Sequence, residues 1–352
     1  MSTAELPAPL ADPAAVTPGW LSDVLGAGAR VTQVRAERIG TGLVGQSVRF
    51  HLTWDEPGAG PATVVGKFPS PDPKSRERGR TGGEYLREVR FYQRLAGGAG
   101  LRLPVCHLAT IDEATGDFTL LLADLAPARQ GDQLAGCTPD EVAAVLAEAA
   151  RLHAAHWGDP RLDAEGWLRR PRAEREGTGA LLTQLWPGFL AGYGSVLPAG
   201  GAELGARFVR ALPAWAEQDT APRCLAHGDL RIDNVLFGPG RPAVVDWQTV
   251  GQASAASDVA YLLGASLTVA DRRAHEDTLL AGYHRELTAL GVDYPLDRLR
   301  EDHRRATLCG VGMTIGASML VGVDDRGRRM FATMAERHLT HALDLGAEEF
   351  LG

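Results

Sequence analysis

Apolar and polar positions along this chain follow two different periods, and the change from one to the other divides it. Val48, Phe50, Leu52 and Trp54 alternate with Ser47, Arg49, His51 and Thr53, the period of a strand with one buried face. The β-branched run Ala62-Thr63-Val64-Val65-Gly66-Lys67-Phe68 predicts a further strand, and residues 118–122 predict a buried one. Over residues 77–95 the spacing turns helical, with Tyr85, Val89, Tyr92 and Leu95 on one apolar face. Thr138-Pro139-Asp140-Glu141 supplies an N-cap, a proline at the first helical position and a capping-box glutamate, predicting a helix to about Trp157. Residues 308–323 are the most apolar run, shorter than a membrane span and broken by Gly310, Gly312 and Gly316, so a buried helix is expected there.

Length and composition narrow the picture. At 352 residues the chain is long for one core, and two lobes are expected. With 45% hydrophobic and 23% charged residues it has the balance of a globular protein. The net charge of −8 argues against a nucleic-acid partner held by phosphate neutralisation. It suits either a cationic substrate or plain solubility. Cys106, Cys137, Cys224 and Cys309 have no paired short spacing and read as free thiols of a reducing compartment, the cytoplasm. Residues 1–18 lack the basic start and apolar stretch of a signal peptide, and no membrane association is expected.

Candidate chemistry is concentrated in His227-Gly228-Asp229-Leu230-Arg231-Ile232-Asp233-Asn234, followed by Val244-Val245-Asp246-Trp247-Gln248. One carboxylate to take a hydroxyl proton, with an amide and a second carboxylate to hold Mg²⁺, is the set of groups that ATP-dependent phosphoryl transfer needs. Upstream, Gly40, Gly42 and Gly45 form G-x-G-x-x-G. A dinucleotide-binding turn would open into a helix, whereas a strand follows here, which fits a phosphate-covering hairpin or an ordinary hairpin with a flexible tip. Lys67 is one of two lysines, with Lys74, in a chain rich in arginine. A compact ammonium on a strand after such a hairpin suits phosphate binding. Glu84 and Glu88, one helical turn apart, are both candidates to pair with it.

The pattern H-x-D-x-x-x-x-N followed by D resembles the protein-kinase catalytic loop and its metal-binding Asp. Gly228 stands where protein kinases usually have Arg, and Asp246 is followed by Trp247-Gln248 rather than Phe-Gly. His-Gly-Asp with Asp-Trp resembles the aminoglycoside phosphotransferase and choline kinase branch of small-molecule kinases. Within it, Asp-Trp-Gln, the stretch Ser257-Asp258-Val259-Ala260-Tyr261-Leu262 and Glu88-Val89-Arg90-Phe91-Tyr92 are most similar to the ecdysteroid-kinase-like group.

The resemblance covers roughly residues 35–265. It implies an α+β, bilobal protein-kinase-like fold with a β-rich N-lobe over residues 1–124 and a larger helical C-lobe over 125–352. It implies that Gly40, Gly42 and Gly45 cover the phosphates and that Lys67, oriented by Glu88, meets them. Leu122, Ala123, Asp124 and Leu125 would be the linker whose backbone groups bond adenine; Ala123 stands where members often carry Glu. Asp229 would be the base or hydroxyl-orienting group, Arg231 would reach the transferring phosphoryl group, and Asn234 and Asp246 would bind Mg²⁺. His227 is expected to brace the loop. Asp258 would either brace it through backbone hydrogen bonds or cap a helix.

The expected function is transfer of the γ-phosphate of ATP to a hydroxylated small molecule. A lipophilic, sterol-like or other secondary-metabolite alcohol suits Met313, Met319 and the tryptophans. An aminoglycoside, with Glu348 and Glu349 as ammonium-binding groups, is the competing acceptor, and a catalytically silent nucleotide-binding protein is the competing class. No Ala-Pro-Glu triplet follows Asp246, which disfavours a protein kinase. His153 and His156 have metal-ligand spacing but no third ligand nearby and are expected to pack. Trp157, Trp167, Trp186 and Trp215 would line a pocket or fill the core.

Overall fold

Antiparallel pairing of five strands builds the first of two units into which the chain divides. The computed structural model describes residues 7–40, 44–169, 172–322 and 324–352, the side chains of 172–176 apart. One unit comprises Met1–Gly98, Leu103–Ala128 and Val245–Thr249; the other comprises Ala99–Arg102, Arg129–Val244 and Val250–Gly352.

The first unit contains α1 (Pro18–Leu25), β1 (Val31–Ile39), β2 (Gly45–Trp54), β3 (Thr63–Pro69), α2 (Pro73–Thr81), α3 (Glu84–Arg94), β4 (Cys106–Ile111) and β5 (Phe118–Ala123). Its strands lie in the order β1-β2-β3-β5-β4. The period-two pattern is realised in β2, where Val48, Phe50, Leu52 and Trp54 are buried against Val31, Val64, Phe68, Leu108 and Leu121. The helical stretch expected over residues 77–95 is two helices rather than one. Gly82-Gly83 interrupts it, with Gly83 at φ +71°, a left-handed conformation that glycine adopts without steric cost. The apolar face of residues 85–95 lies wholly beyond the break, and α2 carries no large apolar residue, so periodicity does not report where one helix ends.

The second unit is helical. It contains β6 (Arg129–Gln130), α4 (Pro139–Ala155), α5 (Arg172–Tyr193), α6 (Gly201–Glu217), β7 (Arg223–Ala226), β8 (Val235–Phe237), β9 (Ala243–Val244), β10 (Gly251–Ser254), α7 (Ala255–Ser266), α8 (Val269–Ala289), α9 (Leu296–Leu320) and α10 (Asp325–Asp344). The short strands pair as β6-β8-β9 and β10-β7. Helix α4 starts on the expected reciprocal capping box between Thr138 and Glu141. The apolar run lies in α9, where Leu308, Val311 and Ile315 join Trp186, Phe189, Phe208 and Leu339 in one core. Trp215 packs against that core and Trp157 tilts onto Tyr294, so these aromatics pack as core or near-core groups. No helix among the described residues is long and apolar enough to cross a membrane. A β-rich unit and a larger helical unit together make an α+β protein-kinase-like fold.

Three helices of the second unit meet at one carboxylate. Glu276 Oε1 on α8 accepts from Nε2 of His303 on α9 at 2.8 Å and of His341 on α10 at 2.5 Å, while Arg272 donates to Oε2 at 2.6 Å. Two tetrahedral zinc ligands would stand roughly 3.3 Å apart at ordinary bond lengths, so these separations describe hydrogen bonds rather than a metal site. Burial opposes ionisation of Glu276, but His341 and His303 override it and hold its carboxyl well below the usual range. Burial lowers His341 to about 4 and His338, close by on α10, to about 3.

Both histidines stay neutral in the fold while the unfolded chain protonates them near pH 6.5. The unfolded state therefore binds more protons below that pH, and stability falls with pH by up to about 1.4 kcal/mol per unit for each group until the folded values are reached. We expect Tm to decline from pH 7 to pH 5, and to decline less steeply in His338→Phe. Parallel declines in a pH series of thermal melts would contradict this origin.

Candidate active site

In the first unit, β3 carries Lys67 between Ser47 of β2 and Leu120 of β5. Its Nζ lies 2.5 Å from Glu88 Oε1 and 2.9 Å from Asp246 Oδ1. Glu84 instead approaches Arg78 at 3.9 Å, so of the two candidates Glu88 takes the lysine. Burial works to lower the Lys67 pKa, yet Asp246 and Glu88 outweigh it and the ammonium is held above its ordinary value. Burial raises the Glu88 carboxyl; Lys67 pulls it down and Asp246 pushes it up, leaving it above the usual carboxylate range.

Trp247 fixes this arrangement. Its ring is fully buried and stacks on Phe91 of α3 at 3.8 Å with planes 6° apart. Its main-chain N–H donates to Glu88 Oε1 at 3.3 Å. The preceding residue, Asp246, has φ +70° and is the non-glycine residue with positive φ among the described residues. Such a conformation costs free energy and persists only where its surroundings impose it.

Gly40 ends the β1 side of the glycine hairpin at φ +70°, and Gly45 opens β2. Gly42 lies outside the described residues. Along residues 122–125, Leu122 is a ladder residue of β5 paired with Val65 and Cys106. The Ala123 N–H donates to the Val105 carbonyl at 2.8 Å. The Asp124 carboxylate is taken by Arg49, whose Nε lies 2.6 Å from Oδ2, and by the Ala126 N–H at 3.0 Å. The Leu125 carbonyl accepts from Ala128 at 2.9 Å.

The second unit holds the loop of residues 227–234. Gly228 has φ +80°, which accounts for glycine where protein kinases carry arginine: an L side chain is strained in that region. Asp258, buried on α7, accepts from the His227 N–H at 2.6 Å and the Gly228 N–H at 2.9 Å, with His153 Nε2 3.3 Å away. It is therefore a brace of the loop, and Ser254 is the N-cap of α7. Burial would raise the Asp258 pKa, but His153, His227 and the Gly228 N–H override it and lower it. His227 is fully buried, and its Nδ1 accepts from the Asp229 N–H at 3.2 Å. His153 also meets the Tyr283 hydroxyl at 2.7 Å; it serves packing, as its sequence setting suggests.

Asn234 sits in a 3₁₀ turn and donates from Nδ2 to the Asp229 carbonyl at 2.9 Å and to Asp229 Oδ2 at 3.0 Å. Arg231 Nε lies 3.3 Å from the same Oδ2, while its Nη1 reaches Asp233 Oδ2 at 3.0 Å and Gln133 Oε1 at 2.9 Å. Burial works against the Arg231 charge, but Asp229, Tyr261 and Asp233 outweigh it and raise its pKa. Nε and Nη1 are thus committed to Asp229, Asp233 and Gln133, which leaves Nη2.

Two residues without a sequence signal complete the loop. Gln133 is fully buried; its N–H donates to Asp233 Oδ1 at 2.7 Å and its carbonyl accepts from Arg337 at 2.9 Å. Gly131 donates to the Val235 carbonyl at 3.0 Å, and a Cβ on it would lie 2.2 Å from the Ile232 carbonyl oxygen. Both lie beside the two-residue strand β6, too short to show a period.

A five-stranded antiparallel unit with a lysine–glutamate pair and a helical unit with a braced H-G-D loop define a kinase-like protein. The chain belongs to the phosphotransferase enzyme family, whose family pattern matches residues 43–296. Among solved structures it is similar to a choline kinase from Cryptosporidium parvum Iowa II, with a TM-score of 0.56 and 11% identity over 90% of this chain and 89% of that one. It is also similar to an ethanolamine kinase from Plasmodium vivax, with a TM-score of 0.50 and 9% identity over 90% of this chain and 82% of that one. At such identities the likeness is one of fold. No curated protein matches the chain by sequence.

Lys67 separates two carboxylates, one of them buried. Lys67→Met should destabilise the protein by about 3 kcal/mol, because it leaves Glu88 buried without its cation. Lys67→Met/Glu88→Leu should recover most of that loss. Thermal melts of the three proteins test this, and a single variant as stable as wild type would sink it.

Proposed function

We propose that this protein transfers the γ-phosphoryl group of ATP to a hydroxyl of a small molecule, with Mg²⁺ as cofactor, and that the acceptor is a lipophilic, sterol-like or other secondary-metabolite alcohol. The observation that carries the reading is the setting of Asp229. Its main chain is bonded to His227 in a loop hung on Asp258, and its Oδ2 takes bonds from Asn234 and Arg231. A carboxylate oriented in this way can accept the proton of an attacking hydroxyl. Arg231, through Nη2, would meet charge on the transferring group. Lys67, steered by Glu88, would bind phosphate oxygens.

The oxygen donors of Asn234 and Asp246 fit a hard cation. Asn234 turns Nδ2 to Asp229, so its amide oxygen faces away from that carboxylate, and Asp246 sets Oδ1 on Lys67 and Oδ2 3.5 Å from Gln248 Nε2. Bound there, the cation would neutralise phosphate charge. Backbone around Gly40, Gly42 and Gly45 would cover the phosphates, and the Leu125 N–H, without a partner among the described residues, would serve adenine. Four free cysteines suit a reducing compartment, the cytoplasm.

Support for a lipophilic acceptor comes from the apolar cluster of Tyr261, Met330, Phe331 and Met334, against which Met313 packs, and from Met330 Sδ 3.5 Å from Arg231 Nη1. Met319 does not belong to it and packs in the main helical core. Glu349 is paired with Arg304, so it is not a free site for an aminoglycoside ammonium group.

Asp229→Asn should lower transfer of labelled γ-phosphate to pooled sterols, macrolides, aminoglycosides and amino alcohols by about 10²–10⁴-fold. The acceptor that becomes labelled by wild type identifies the class. A wild type that labels none of them, or an Asp229→Asn variant that keeps its rate, would refute the proposal.

A further inference from the structure

The loop of residues 227–234 is held from a second side by a segment that carries none of its motif. Gln130 Nε2 donates to the Asp233 carbonyl at 2.7 Å, the Gly131 N–H to the Val235 carbonyl at 3.0 Å and the Gln133 N–H to Asp233 Oδ1 at 2.7 Å. Gln133 also turns its side chain to the loop, Oε1 accepting from Arg231 Nη1 at 2.9 Å.

We propose that Gln133 is a positioning residue for the phosphoryl-transfer reaction, fixing the plane of the Arg231 guanidinium so that Nη2 meets the transferring group. The inference rests on the phosphotransferase reading above and extends it to a residue 98 positions earlier in the chain.

A guanidinium is planar, so contacts on two of its nitrogens set the direction of the third. Arg231 has Nε 3.3 Å from Asp229 Oδ2, and Nη1 3.0 Å from Asp233 Oδ2 as well as 2.9 Å from Gln133 Oε1. Asp229 and Asp233 belong to the same loop as Arg231 and shift with it. Gln133 is anchored outside that loop: its carbonyl accepts from Arg337 Nη1 of α10 at 2.9 Å, and the same nitrogen reaches the Ala265 carbonyl of α7 at 2.8 Å. The next residue, Leu134, packs against the cluster of Tyr261, Met330, Phe331 and Met334. Met330 Sδ, 3.5 Å from Nη1, adds only a weak acceptor from α10.

Packing alone would be served by an apolar side chain, so the amide needs its own account. A guanidinium offers donors and no acceptor, which obliges the amide oxygen rather than the nitrogen to face Nη1. Nε2 is thereby left buried without a hydrogen-bond partner among the described residues, an arrangement that lowers stability. Methionine has the same unbranched reach and neither polar atom, and would remove that penalty. The amide is therefore explained by what Oε1 does for Arg231, and stability and rate should respond to its loss in different directions.

The test is steady-state transfer of labelled γ-phosphate from Mg-ATP to the pooled sterols, macrolides, aminoglycosides and amino alcohols, read on the acceptor that wild type labels. Full-length wild type, Gln133→Met, Gln133→Glu, Arg231→Met and Gln133→Met/Arg231→Met are compared, with a thermal melt of each. We expect Gln133→Met to lower kcat about tenfold, with KM for ATP within about twofold and Tm at or above that of wild type. Gln133→Glu, which keeps an acceptor oxygen for Nη1, should hold kcat within about threefold. Added to Arg231→Met, Gln133→Met should have no further effect, because its influence passes through that guanidinium. A Gln133→Met kcat within about twofold of wild type would overturn the role of Gln133. So would an equal loss in Gln133→Glu, a loss that multiplies with that of Arg231→Met, or one that follows a drop in Tm. A wild type that labels no acceptor would instead overturn the phosphotransferase reading, and the role of Gln133 with it.

Discussion

A single buried carboxylate, Asp258, organises the loop of residues 227–234. Two consecutive N–H groups, those of His227 and Gly228, end on its two oxygens, and His153 of α4 stands beside it. Consecutive amides can point the same way only if the chain turns sharply, and the left-handed Gly228 provides that turn. The rest follows in order. The turn sends Asp229 back over His227 Nδ1, and Asn234 closes the loop onto Asp229. Without Asp258, two buried donors would lose their partner, each at a cost of about 1–3 kcal/mol.

The first unit solves a different problem by different means. Three charged groups are gathered there, and the cation is outnumbered by two carboxylates. What holds them is partly electrostatic and partly packing: the Trp247–Phe91 stack joins the segment after Asp246 to α3, the helix that carries Glu88. The positive φ of Asp246 is the cost of aiming its carboxylate at Lys67 immediately before a side chain that must be buried.

Much of this was legible in the sequence where a pattern repeats or a motif is compact. The alternation around Phe50 marks β2, Thr138-Pro139-Asp140-Glu141 marks the start of α4, and H-G-D with Asp-Trp marks the two segments that carry the candidate site. The features that escaped it lack such signals. The Gly82-Gly83 break is hidden because α2, with no large apolar residue, has no period of its own to set against that of α3. Gln133 and Gly131 flank a strand of two residues, and their importance lies in contacts with a loop a hundred residues later. Arg49 takes Asp124 from 75 residues away, and Arg231 is bound by Gln133 from 98 away; pairings at such range have no local imprint. Spacing alone placed Glu84 and Glu88 one turn apart without deciding between them, the resemblance favoured Glu88, and the structure gives Lys67 to Glu88 and Arg78 to Glu84.

The scarcity of lysine has a practical side. Lys67 is ion-paired on both sides with its ammonium held in the charged form, and a charged amine is a poor nucleophile. Lys74, at the exposed start of α2, is the other lysine. An amine-reactive dye, crosslinker or surface would therefore attach among lysines at Lys74, leaving the phosphate-binding candidate untouched. A scaffold whose surface cations are nearly all guanidinium thus offers one exposed lysine for tethering.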